Sequence, residues 1–182
     1  MPASGKSTFA QMLLKALCQH SAVPAIVVGL DGWHYSRSEL DAMPDAQLAH
    51  ERRGAPWTFD AEAYVAFVHA LRQDVTKDSG MLRAPGFDHA DKDPTPGAVC
   101  VEPAHRIVII EGLYTLLSTA PWREAGVLLD ERWLLRVDAI KARERLIGRH
   151  VATGVAGDRE EAMWRAGEND GPSKSVRFGD VS

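Results

Sequence analysis

Met1-Pro-Ala-Ser-Gly-Lys-Ser-Thr8 opens the chain, and its core Ala3-Ser4-Gly5-Lys6-Ser7-Thr8 has the residue types of a phosphate-binding loop running into a helix. Glycine lets the backbone approach an anion closely, successive N–H groups converge on it, and the helix that follows adds the positive end of its dipole. In such a loop Lys6 reaches the β/γ-phosphates and the Ser7 hydroxyl reaches Mg2+. The full pattern, G-x-x-x-x-G-K-[ST] after a strand, needs a further glycine and that strand upstream, ahead of Met1. A Gly-Lys-Ser triplet alone is common. Here Phe9, Met12, Leu13, Ala16 and Leu17 follow it at helical spacing, which favours the loop over a flexible Ser/Gly start.

The chain has 182 residues, 45% hydrophobic and 25% charged, which fits one globular domain. Its formal charge of −4 and the lack of a clustered basic run argue against a nucleic-acid surface and for a metabolite as partner. No apolar stretch approaches the roughly 20 residues of a membrane span. With no leader before the loop, a cytoplasmic location without membrane partners is expected. Cys18 and Cys100 have no pairing motif and read as buried thiols in a reducing compartment.

Outward from the loop, the first helix is expected to reach about His20, and Ala25-Ile-Val-Val-Gly-Leu30 reads as a strand of a parallel sheet covered on both faces. It ends in Asp31-Gly-Trp-His34, placing an acid where open α/β sheets carry their active sites. Asp31 is thus a catalytic candidate, against the plain reading of a turn aspartate before Gly32. A helix is expected over Ser38–His50, with Ser38 as cap, then a loop from Glu51 to Asp60. There Arg52 and Arg53 are either solvated charges or a clamp for an anionic substrate. Asp60 should cap a helix carrying Tyr64, Val65, Phe67, Val68 and Leu71 on its apolar side.

Met81–Ala84 reads as a short strand, and Pro85–Gly97 as a long loop holding His89 and three aspartates, either functional or simply a polar surface. Ala98–Val101 suggests an edge strand. Arg106–Ile110 is the clearest buried strand, and Glu111-Gly112 at its end matches the second metal-site element of phosphate-loop enzymes. A strand over Trp133–Val137 and a helix from about Ala139 should follow. On that helix Lys141, Arg145 and Arg149 share one face, as a solvated basic surface or as a mobile arginine segment that closes over phosphates. A last helix is expected from Asp158 to Arg165.

With the loop, Asp31-Gly-Trp-His34, Phe87-Asp-His89, Glu111-Gly-Leu113 and Arg145/Arg149 in this order, the chain resembles the phosphoribulokinase/uridine kinase family of P-loop kinases over nearly all of residues 2–170. The stretch Arg52–Asp60 and the loop from Pro85 are most similar to an incompletely characterised branch labelled nucleoside/nucleotide kinase-like. The Arg-Gly-x-Pro-x-x-Phe-Asp form is also similar to bacterial pantothenate kinase. The resemblance implies a three-layer α/β P-loop NTPase fold with a mainly parallel sheet, lacking its first strand and the end of its C-terminal region. Residues 1–170 would be an N-terminally truncated kinase domain and 171–182 a polar tail.

The resemblance also implies ATP and Mg2+ as cofactors and transfer of the γ-phosphoryl group to a hydroxyl of a nucleoside, sugar or sugar phosphate. It makes Asp31 the base, has Ala3, Ser4, Gly5, Lys6, Ser7 and Thr8 hold the nucleotide, and gives metal to Ser7 and Glu111. Lys6, Arg145 and Arg149 would act on the phosphates. Beside these, His34, Arg53 and His89 are candidate contacts to the acceptor, His89 the best of the three. A homodimer is compatible with it. A pantothenate kinase-like enzyme and a truncated, non-catalytic nucleotide-binding protein stay open as alternatives.

Overall fold

In a computed structural model, the structure describes residues 4–76, 79–88, 91–152, 154 and 156–168. Met1 to Ala3, His89 and the tail 171–182 lie outside the described residues, as does the Arg149 side chain. Gly5 stands in the left-handed region, φ 85° and ψ 20°, which glycine adopts without steric cost, and leads directly into helix α1, Lys6–His20.

The strand β1, Ala25–Gly29, pairs in parallel with β4, Ile107–Glu111, so that Gly29 lies opposite Glu111. Both are short apolar runs of β-branched residues, as parallel strands require. Between them in sequence come the helices α2, Arg37–Asp41, α3, Ala46–Glu51, and α4, Ala61–Leu71, then an antiparallel hairpin of β2, Leu82–Asp88, with β3, Asp93–Val101. After β4 follow α5, Trp122–Val127, α6, Ala139–Ala152, and α7, Arg159–Glu168.

Trp33, Phe59, Tyr64, Tyr114 and Trp122 centre the main core, with edge-on and tilted ring pairs such as Phe59–Tyr114 at 5.4 Å and Tyr64–Trp122 at 5.7 Å. Each such large side chain removed from water contributes roughly 1.5–3 kcal/mol, and favourable ring geometry adds about 0.5–1.5 kcal/mol per pair. As expected, Asp60 caps α4 by accepting from Ala63 N–H at 2.9 Å, and Tyr64, Val65, Phe67 and Val68 are its buried face. The α6–α7 pair builds a second small core of Leu146, Ile147, Ala156 and Ala162, separate from the first.

The expected helix over Ser38–His50 is two helices, because Met43-Pro44-Asp45 forms a turn and proline there has no N–H to continue the ladder. Its cap is Ser36, not Ser38: Ser36 and Glu39 form a capping box in which the Ser36 N–H donates to the Glu39 carboxylate at 2.7 Å. Of the segment Pro85–Gly97, the described residues 85–88 and 91–97 belong to the hairpin rather than to a long loop. Its prolines fit because each strand pairs on one side only, and a register shift between Ala84 and Gly86 absorbs Pro85. Cys18 is exposed rather than buried, since the buried residue of α1 is Ala10.

Trp133–Val137 is not a strand. An open groove of about 930 Å³, lined by Phe9, Leu13 and Leu17 of α1, by β4 and by Leu128–Leu135, accounts for this. A strand is stable only when a neighbour completes its ladder, and the groove supplies none. The same groove leaves part of the helical repeat of α1 uncovered, with Phe9 39% exposed, and no residue of β4 fully buried.

Candidate active site

The carboxyl ends of β1 and β4 and the amino end of α1 meet at one place. Ser7, in the first turn of α1, donates from Oγ to Glu111 Oε1 at 2.9 Å, and Lys6 Nζ lies 3.4 Å from the Oγ of the buried Ser4. A helix N-terminus with a lysine and a left-handed glycine is suited to anions. Mg2+ takes one or two protein oxygens and completes its octahedron with water and phosphate oxygens. A hydroxyl and a carboxylate already within hydrogen-bond reach fit that ion.

Beyond Gly29 the chain turns through a 3-10 segment, Leu30–Trp33, which carries Asp31 between the fully buried Leu30 and Gly32. Two glycines make this turn. A Cβ on Gly32 would stand 2.1 Å from the Pro85 carbonyl oxygen, and one on Gly112 would stand 2.3 Å from Leu30 Cβ. Gly32 is therefore demanded by the approach of β2, a tertiary reason that Asp-Gly turn chemistry alone does not supply.

His34 follows at the same end. Its Nδ1 donates to the Asp31 carbonyl at 2.8 Å, which leaves Nε2 as the acceptor nitrogen in the neutral ring. The ring lies 3.9 Å from Phe59 and 5.1 Å from Phe87, centroid to centroid. Arg53 reaches the same wall from the loop after α3, whose shape is held by Thr58 Oγ1 accepting from Gly54 N–H and by Tyr114 Oη donating to the Gly54 carbonyl at 2.8 Å. Burial pushes the Asp93 carboxyl up, but hydrogen bonds from Arg53 and from the Arg37 N–H, with both guanidinium charges, outweigh it and hold the group below its ordinary value.

Of the residues expected at a site, Ser4, Gly5, Lys6, Ser7 and Glu111 come together, and Asp31 and His34 stand on the turn that leaves the strand beside Glu111. Thr8 is exposed on α1. Arg145 is exposed on α6, within the helical pair that has its own small core. Asp93 and Arg37 were not singled out by sequence reasoning. The Asp91-Lys-Asp93 run resembles any polar turn, and only the hairpin pairing brings it to Arg53 and Arg37.

Among the described residues, no helix is long and apolar enough to cross a membrane. The phosphoribulokinase/uridine kinase family matches residues 2–128. A Schizosaccharomyces pombe protein with a provisional uridine kinase name is 39% identical over 170 residues, covering 93% of this chain and 71% of its own. A solved structure from Silicibacter sp. TM1040, provisionally titled a fructose transport system kinase, superposes with a TM-score of 0.84 at 32% identity, covering 99% of this chain and 84% of that one. YFH7 from Saccharomyces cerevisiae, described with the same reserve as a P-loop-containing kinase with a circular permutation, gives a TM-score of 0.77 at 29% identity, covering 88% and 58%. The α/β fold is that of P-loop kinases, and the chain belongs to the phosphoribulokinase/uridine kinase family.

Proposed function

We propose that this chain is an ATP-dependent kinase that transfers the γ-phosphoryl group to a hydroxyl of a small metabolite, a nucleoside, sugar or sugar phosphate, in the cytoplasm. The observation that carries the reading is the 2.9 Å contact between Ser7 and Glu111 at the amino end of α1, with Asp31 on the adjoining strand exit. Phosphoryl transfer needs little covalent help from a protein, so positioning and electrostatics supply most of the rate.

In this reading the amides around Gly5 and the Lys6 ammonium hold the phosphates. Ser7 and Glu111 would hold Mg2+, which neutralises phosphate charge when bound. Asp31 accepts the proton of the attacking hydroxyl, and His34 lines the acceptor side. His89, outside the described residues, is assigned to the same side on the sequence reading alone. Arg145 and Arg149 are assigned to the phosphates on the family resemblance, as part of a segment that closes over them.

A second reading, a nucleotide-binding protein without turnover, is favoured by one observation: the uncovered groove beside β4 leaves the support of the loop incomplete. The deciding experiment is ATP consumption by the purified chain against uridine, fructose, a pentose phosphate and pantothenate, with Lys6→Ala as control. Acceptor-dependent turnover that the Lys6 variant loses, together with ATP affinity, supports the kinase. ATP binding without turnover on any acceptor supports the second reading, and no binding at all removes both.

A further inference from the structure

Arg53 makes its side-chain hydrogen bonds inside the protein through its two terminal nitrogens, while its Nε is buried without a hydrogen-bond partner among the described residues. Its side chain is 16% exposed. Nη2 donates to the Tyr35 carbonyl at 2.9 Å and to Asp93 Oδ1 at 2.8 Å, and Nη1 donates to the Lys92 carbonyl at 2.5 Å. Lys92 has a left-handed backbone, φ 55°, unfavourable for a residue with a side chain, so the grip on its carbonyl holds a turn that would otherwise relax. Arg37 grips the same turn from the other side, its N–H donating to Asp93 Oδ1 at 3.0 Å and its Nη2 to the Asp91 carbonyl.

From that lock a line of ring contacts runs to the candidate base. Arg53 Cζ lies 5.9 Å from the Phe87 ring centroid, Phe87 lies 5.1 Å from His34, and His34 is bonded to the Asp31 carbonyl. Both terminal nitrogens hold the hairpin through two carbonyls and a carboxylate, and Nε is buried, so the fork is turned to the hairpin rather than presented to an incoming anion. We propose that Arg53 is a positioning residue: with Asp93 it locks the Asp91–Asp93 turn of the β2–β3 hairpin and so sets where Phe87 and His34 stand beside Asp31, governing acceptor fit without touching the acceptor. The inference rests on the reading of this side of the site as the acceptor pocket.

The test is a double-mutant cycle of Arg53→Met and Asp93→Asn, read on the acceptors named above. Each single variant should raise the acceptor KM about tenfold, alike for charged and uncharged acceptors, and the double variant should be no worse than either, because both remove one lock. The KM for ATP should stay at the parent value, and Arg53→Lys, which keeps the charge but not the planar fork, should recover only part. A KM that rises in Arg53→Met for anionic acceptors alone, while Asp93→Asn leaves it unchanged or lowers it, would make Arg53 an acceptor contact and overturn the proposal. Additive effects would overturn it too. If the parent turns over no acceptor, the kinase reading fails by itself, and amide hydrogen exchange decides the lock. Faster exchange at Phe87 and Lys92 in both single variants, with no further gain in the double, supports it, and parent-like exchange overturns it.

Discussion

Ser7 Oγ donates to Glu111 Oε1 at 2.9 Å although the two residues are 104 positions apart, so the start of α1 and the end of β4 share one polar contact. Two hard oxygens placed this way are a ready pair for a small divalent cation. Ser7→Ala and Glu111→Gln should each raise the Mg2+ concentration needed for half-maximal turnover by at least about 10-fold, since losing even a group behind a metal ligand typically costs about 10–100-fold. Titrating Mg2+ at fixed ATP checks this, and an unchanged requirement in both variants would move the metal elsewhere.

Asp31→Asn keeps the size of the side chain and removes its ability to take a proton. Turnover should fall by about 10²–10⁴-fold with ATP affinity nearly intact. Parallel measurements of kcat and ATP binding separate this outcome from a folding defect. Parent-like turnover would reduce Asp31 to a turn residue.

Asp93 adds a pH signature. Its folded value is depressed, so its contribution to stability is complete above the ordinary value of 3.8 and is lost as pH falls through the lower folded value. The melting-temperature gap between the parent and Asp93→Asn should therefore be steady near pH 6 and close progressively below about pH 4. A gap that persists to the lowest pH at which both variants fold would mean that charge on Asp93 is not what Arg53 and Arg37 use.

Tyr64 is fully buried, and its hydroxyl has no hydrogen-bond partner among the described residues; burial pushes its pKa upward. Removing a hydroxyl that was desolvated without compensation relieves a penalty of about 1–3 kcal/mol. Tyr64→Phe should leave the melting temperature unchanged or raise it, since the ring contacts with Trp33 and Trp122 are kept. Thermal melts of the two proteins suffice, and a clear loss of stability would show that the hydroxyl is satisfied.

The groove along β4 makes a prediction about the loop itself. An extended apolar segment of β-branched residues, ending in Gly-x and joined ahead of Met1, could complete the β4 ladder and cover Phe9, Leu13 and Leu17. It would also give the amides near Gly5 a rigid support, and misplacement by about 1 Å can cost on the order of 10²-fold in rate. The extended protein should show a higher melting temperature and faster phosphoryl transfer than the chain of 182 residues. Equal values in both assays would mean that the loop is held without such a strand.

Much of this was legible in the sequence because it is local chemistry. The helical repeat after Gly5-Lys6-Ser7, the apolar runs ending at Gly29 and Glu111, and Asp60 as a helix cap all depend on residues within a turn or a strand of one another. The Ser36/Glu39 capping box is equally local, a serine followed three residues later by a glutamate. What only the tertiary structure decided depends on partners far along the chain. Pro85–Gly97 became a hairpin because strand pairing outweighs turn-forming composition. Trp133–Val137 stayed irregular because an apolar run becomes a strand only beside an available ladder. A side chain at position 32 would meet the Pro85 carbonyl, and Arg53 meets Asp93 across the hairpin, 40 positions along the chain. Composition and spacing report what a segment can do by itself, whereas hydrogen-bond ladders, close backbone approaches and buried ion pairs each need a second segment that the fold alone brings into reach.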